Sequence, residues 1–286
     1  MIRFLRIFSI IGCLMALLVY GGVSIYTENQ TDKNGPQISM EEKEITVSTQ
    51  DGQEAVLSGV TAIDKKDGDV TDLLVVESLS NFIEKGCREA SIAAFDKDGN
   101  VTKNVRKVIY SDYTSPRVSL SGPLKVQINN SEALMDKISV MDCLDGDITS
   151  NVQITSEETV SSSQPGEYRM HLQVSNSAGD VVDLPVTVEY YSSAMGNTTP
   201  QILLNEYLVY AKTGSPLNPL DYVKGIILRG QEYIWGSDNP PEIGKESIRV
   251  DSQVDYYTPG TYEICYAIQE ENGTQGKVRL VVVVEE

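Results

Sequence analysis

The feature that most constrains this chain is a recurrence of glycines: Gly86, Gly166 and Gly260 are each followed 13 residues later by Gly99, Gly179 or Gly273. Equal spacings of this kind mark an internal repeat, one structural unit used several times. Pro36-Gln37-Ile38, Pro116-Arg117-Val118 and Pro200-Gln201-Ile202 open the same three segments, 80 and 84 residues apart. Between the paired glycines apolar residues alternate, as Tyr168, Met170, Leu172 and Val174 in the second repeat and Tyr262, Ile264, Tyr266 and Ile268 in the third. Period two is the signature of a half-buried strand. The first repeat offers Arg88, Ala90, Ile92 and Ala94, a weaker apolar face. The β-branched runs 105–110, 181–190 and 278–284 supply a partner strand for each. Asp98-Gly99-Asn100, Ser177-Ala178-Gly179-Asp180 and Glu271-Asn272-Gly273 provide the positive φ that a hairpin turn needs.

About 80 residues per repeat, short strands, frequent turns and no long amphipathic helix after the N-terminus predict an all-β chain. The expected architecture is three tandem immunoglobulin-like β-sandwiches, each a seven-stranded Greek key. The repeats place domain one at 36–113, domain two at 114–191 and domain three at 199–286, the last divergent and carrying an insertion at 225–247. The connection 191–199 is small and polar, so a stacked rod with domain three as its mobile distal tip is expected.

Residues 1–27 read as an address. Positions 7–26 carry no charge, with Arg3 and Arg6 before them and Glu28 and Asp32 after. Such a run predicts an N-terminal transmembrane helix with its N-terminus in the cytoplasm, or a signal segment cleaved after the small residues Gly22 or Ser24. Either puts the domains outside the cell, on the outer face of the membrane or secreted. Acidic residues outnumber basic ones 41 to 23, and a net charge of −18 repels nucleic acid and anionic lipid, so no nucleic-acid partner is expected. Of the four cysteines, Cys13 falls in the apolar run and Cys87, Cys143 and Cys265 fall one to a domain, so no domain has a disulfide pair of its own.

The first two repeats share a further motif, D-x-x-D-G-D-[VI]-T, as Asp64-Lys65-Lys66-Asp67-Gly68-Asp69-Val70-Thr71 and Asp142-Cys143-Leu144-Asp145-Gly146-Asp147-Ile148-Thr149. Followed by G-x-Y and a D-x-x-G-N-like hairpin, this pattern resembles the bacterial Ig-like repeat of pesticidal crystal proteins and bacterial surface proteins. The resemblance covers nearly all of 36–191 and, more loosely, 200–286. It implies an Ig-like sandwich acting as a spacer, adhesive or carbohydrate-associated module without catalysis of its own. The chain departs from it at Cys87-Arg88, where a tyrosine is wanted, and in domain three, which lacks the aspartate motif.

Two readings of the aspartates compete. Asp64, Asp67, Asp69, Asp142, Asp145 and Asp147 could present oxygen ligands to calcium, or they could make turns by accepting backbone N–H groups, and the turn reading is the preferred one. Tyr233 and Trp235 lie in the domain-three insertion and are the candidate ligand-binding residues, set against the simpler reading that Trp235 packs on the core. His171 is the only histidine, and no zinc set, nucleotide loop or nucleophile–base arrangement is present. The expectation is therefore a non-catalytic surface protein that binds a cell-surface or cell-wall glycan or protein. A passive spacer is the alternative, and a carboxylate-only polysaccharide-active enzyme the remote one.

Overall fold

The structure, a computed structural model, describes residues 2–30, 33–128, 134–156, 164–192, 199–270 and 273–286. The turn residues 271–272 and the linker residues 193–198 lie outside the described residues. The chain divides into two compact units, 1–113 and 114–286.

Each repeat folds as a three-stranded and a four-stranded sheet facing each other. In the first unit β1 (Gln37–Met40), β3 (Val60–Asp64) and β4 (Gly68–Asp69) form one sheet. The other has the order β2 (Glu44–Val47), β7 (Val101–Tyr110), β6 (Cys87–Phe95) and β5 (Val75–Leu79). The second unit repeats this plan twice. Domain two pairs the sheet β8 (Arg117–Leu120), β10 (Ile138–Asp142) and β11 (Gly146–Asp147) with the sheet β12 (Gln153–Thr155), β13 (Gly166–Ser175), β14 (Val181–Tyr191) and β9 (Lys125–Gln127). Domain three pairs β15 (Gln201–Leu204), β17 (Val223–Leu228) and β18 (Gln231–Ile234) with β16 (Leu208–Lys212), β21 (Gln275–Glu285), β20 (Gly260–Gln269) and β19 (Arg249–Ser252). In every domain the strand after the first one pairs in parallel with the last, as β2–β7, β9–β14 and β16–β21. Three tandem Ig-like sandwiches are thus built from one pattern of hydrogen bonds.

The alternation read from the sequence points inward as expected: Met170, Leu172 and Val174 are buried in domain two, Ile264, Tyr266 and Ile268 in domain three, and Ala90, Ile92 and Ala94 in domain one. Domain one compensates for its small side chains with an unusual residue. Arg106 stands seven residues after Gly99, where Val186 and Leu280 follow Gly179 and Gly273, and it pairs across the sheet with Ala90. Only 2% exposed, its Nη1 donates to the carbonyls of Val56 (2.8 Å) and Ser58 (2.6 Å), at the end of α2 (Gln53–Val56). The aliphatic stem fills space that Ala90 leaves, and the guanidinium ties the α2 turn to the sheet. Arg88 likewise replaces the expected tyrosine by shape. Its guanidinium lies 5.1 Å from the Tyr110 ring and donates to the Tyr110 hydroxyl, where Tyr168 of domain two meets Tyr190 edge-on at 5.4 Å.

Two expectations are corrected. Among the described residues no helix is long and apolar enough to cross a membrane. Helix α1, Ile2–Gln30, is no exception. This overturns the single-pass anchor and the membrane partner. Nor is domain three a mobile tip. Leu208 and Val281 of domain three belong to the buried cluster of domain two, with Tyr207, Tyr210 and Val283 packed against it. The Tyr210 hydroxyl accepts from Val118 N (2.8 Å), and Arg117 lies 4.1 Å from the Tyr210 ring while bonding Glu285 at 2.6 Å. Domains two and three are fastened along their strands as one body.

Arg106→Ala should lower the stability of unit one by about 3–5 kcal/mol, because it leaves a cavity together with an orphaned Val56 carbonyl. Urea unfolding followed separately for the two units checks this, and unit two should be unaffected.

Candidate functional site

The six aspartates form two corners with one hydrogen-bonding plan. Asp64 is buried, and its Oδ1 accepts from Lys66 N (2.7 Å) and Asp67 N (2.8 Å); Asp142 does the same with Leu144 N (2.9 Å) and Asp145 N (3.0 Å). The second carboxylate crosses to the hairpin beyond. Asp67 takes Lys97 N at 2.9 Å, and Asp145 takes both Ser177 N (2.6 Å) and Ser177 Oγ (2.7 Å). The third, Asp69 or Asp147, accepts from the backbone N–H of Thr71 (2.9 Å) or Thr149 (3.0 Å). The threonine hydroxyl, then its N–H, holds each of these two carboxyls below the usual carboxylate range. Those hydroxyls in turn accept Ala62 N and Val140 N. Gly68 and Gly146 take φ of 78° and 73° at the turn, a region open to glycine. The motif thus clasps a strand corner to the repeat's last hairpin. Among the described residues no group of three acidic, histidine or cysteine side chains is placed to hold a metal ion.

Domain three replaces that corner with the longer β17–β18 hairpin, so the insertion begins as sheet and continues after Ile234 as turns. Leu228 pairs with Gln231 across Arg229 and Gly230, both left-handed at φ 52° and 79°, as a two-residue type I′ turn requires. A Cβ at Gly225 would collide with the Tyr233 carbonyl, which explains glycine inside this strand. The segment after β18 covers its open edge: Asn239 accepts Ile234 N through its carbonyl (3.2 Å) and donates from Nδ2 to Glu232 O (2.9 Å). Tyr233 and Trp235 are half-buried against the domain-three core. The Trp235 indole donates to Ile243 O (3.1 Å), and Lys245 Nζ lies 5.8 Å from its ring.

A site that no sequence motif announces lies between domains two and three. Residues of β13 and β14 on one side and of β19, β20 and β21 on the other line a groove of about 440 Å³. A clamp joins the two walls. Glu263 accepts from Thr187 N (2.5 Å) and Thr187 Oγ1 (2.8 Å), and Arg279 bridges Glu167 (2.6 Å) and Glu263 (3.5 Å). The Arg279 hydrogen bond holds the Glu167 carboxyl below its ordinary value, against the opposing effect of burial. Across the floor, cross-strand neighbours Asp251, Cys265 and Arg279 stand in one row. Arg169, Asp251 and Gln253 line the groove as exposed side chains with no hydrogen bond or ion pair among the described residues. His171 lies on the same outward face of β13, 3.0 Å from Asp183.

No protein-family profile and no curated protein matches the chain. Among solved structures it is similar to CBM51-2 in complex with GlcNAc and INT domains, from Clostridium perfringens ZmpB, at 16% identity and a TM-score of 0.22, over 52% of this chain and 26% of that one. It is also similar to mouse cadherin-23 EC22-24, at 11% identity and a TM-score of 0.20, over 88% of this chain and 99% of that one, and to the human desmocollin-1 ectodomain, at 11% and 0.18, over 88% and 62%. The chain spans 26% and 30% of the length of the two ZmpB structures. Superpositions at these scores establish neither a shared fold nor a shared ligand.

Two measurements test these sites. Because the aspartate corners are occupied by N–H donors, melting in chelator and in millimolar calcium should agree within about 2 °C; a calcium-dependent rise above ~10 °C would make them cation sites. For the clamp, the depressed Glu167 pKa means that its contribution is complete above the ordinary value of 4.5 and is lost as pH falls through the lower folded value. Melting of the wild type against Arg279→Gln across that range should show this acid-sensitive component in the wild type alone.

Proposed function

We propose that this chain is a non-catalytic binding protein whose contact site is the groove between domains two and three. The observation that carries this reading is the combination of a fixed frame with uncommitted chemistry. Glu263, Thr187 and Arg279 are consumed in joining the domains, while the side chains of Arg169, Asp251 and Gln253 line the groove with no partner among the described residues. The clamp fixes the strands that carry these groups before a ligand arrives, which removes the backbone part of the ordering cost of binding. Domain one, with its own core and its own clasped corner, serves as a spacer in this reading.

A carboxylate pair for glycoside hydrolysis is disfavoured by the same geometry. Asp251 has no partner among the described residues, but the Glu263 carboxylate already accepts two hydrogen bonds from Thr187 and a contact from Arg279, so its oxygens are engaged in the domain joint. The domain-three hairpin makes a weaker contact site than the groove, because Trp235 has already given its N–H to Ile243 and its ring to the core.

The full chain, applied to immobilised glycan and protein arrays, tests the assignment. Binding should be lost in the double variant Arg169→Ala/Asp251→Ala and kept in Trp235→Ala. Loss in Trp235→Ala alone would move the contact to the hairpin, and no binding by the wild type would leave a passive spacer. Turnover of an array glycan that Asp251→Asn abolishes would make the chain an enzyme.

A further inference from the structure

We propose that the groove accepts a short, uncharged oligosaccharide, held by paired hydrogen bonds from Arg169, Asp251 and Gln253. This rests on the groove being the contact site, and it goes further by assigning the ligand's chemistry.

The first ground is charge. The chain carries −18 overall, yet the groove's lining carries two groups of each sign, Arg169 and Arg279 against Asp251 and Glu263. A site with balanced charge in so acidic a protein selects neither an anion nor a cation. The second is hydrogen-bonding capacity. Guanidinium, carboxylate and primary amide are planar forks, each able to meet two neighbouring polar atoms at once. Their mixture of donors and acceptors suits vicinal hydroxyls, which both donate and accept. Thr261 adds a hydroxyl to the same wall, and the exposed Pro185 ring supplies the limited apolar surface that the C–H face of a sugar ring needs.

The third ground removes the main competitor, a peptide strand adding to the β14 edge. Pro185 has no N–H to offer there, and the Thr187 N–H is already taken by Glu263. A protein surface is disfavoured as well, since these groups lie in a recess and, among the described residues lining the groove, no exposed large hydrophobic side chain is present to form an interface core. The volume of about 440 Å³ falls within the ~300–1,000 Å³ range of small-molecule sites. It exceeds what one sugar ring fills.

Cys265 gives the experiment its reporter, because its half-buried thiol sits in the groove floor between Asp251 and Arg279. The full chain is treated with a maleimide while chitotriose, cellotriose, mannotriose or maltotriose is present at millimolar concentration. Peptide mapping reads modification at Cys265, and calorimetry reads affinity. At least one neutral trisaccharide should bind and slow Cys265 modification at least tenfold. Asp251→Ala and Gln253→Ala, both at exposed positions, should each weaken that sugar at least tenfold with an unchanged melt, and Trp235→Ala should leave it unaltered. Absence of binding by every neutral sugar overturns the ligand class. Protection of Cys265 by oligogalacturonate or hexalysine alone also overturns it while leaving the groove as the site. Sugar binding with no protection of Cys265 places the sugar elsewhere and overturns the groove assignment itself.

Discussion

A sandwich of short strands leaves edges and corners whose N–H and C=O groups must find partners, and in this chain side chains supply them at the positions that shape the molecule. Glu263 takes the Thr187 N–H on the open edge of β14. The Asn239 side chain caps the Glu232 carbonyl on the edge of β18, while its backbone carbonyl takes the Ile234 N–H. Asp64 and Asp142 gather the N–H groups of their own turns, and Arg106 collects two carbonyls below the sheet of domain one. A charged group in such a bond contributes about 1.5–3 kcal/mol, and leaving the buried backbone atom unpaired would cost a similar amount.

The same device decides how the domains are joined. Capture of an edge N–H by a side chain from the next domain requires the sandwiches to lie against each other along their strands. Once there, Leu208 and Val281 enter the core of domain two, where full burial contributes roughly 1.5–3 kcal/mol for each side chain. Tyr210 adds two hydrogen bonds to the Val118 backbone, and burial pushes its phenol up, which keeps it protonated and able to donate. The groove follows from this fastening. Thr187, Glu263 and Arg279 hold the two sheets beside each other, and Arg169, Asp251 and Gln253 line the space left between them.

Divergence among the repeats follows the same logic of space and partners. Domain one carries alanines where its siblings carry Met170 or Ile264, and Arg106 and Arg88 occupy the room in place of an aliphatic and a tyrosine. Domain three has no aspartate corner and closes the same place with β17–β18, whose Arg229 is the single non-glycine residue at positive φ among those described. That strained turn keeps the longer hairpin tight, and Asn239 then protects the edge it creates.

The glycine spacing, the alternation from Tyr168 and Tyr262, and the turn residues determined the strands, the hairpins and the sandwich class. All of these are local matters of periodicity and backbone conformation. The aspartate motif was legible as turn chemistry for the same reason, since its bonds run mostly to residues two or three positions away. The aromatic pair Tyr233 and Trp235 drew attention as residue types, but their packing depended on Ile243, Lys245 and a core assembled from distant strands. The groove was not legible at all. Arg169, Asp251 and Gln253 are ordinary strand-surface residues in sequence, and only the docking of two domains through Thr187, Glu263 and Arg279 sets them around one space. Contacts between residues 76 and 112 positions apart carry no local signal, so tertiary packing alone decided where a ligand can sit.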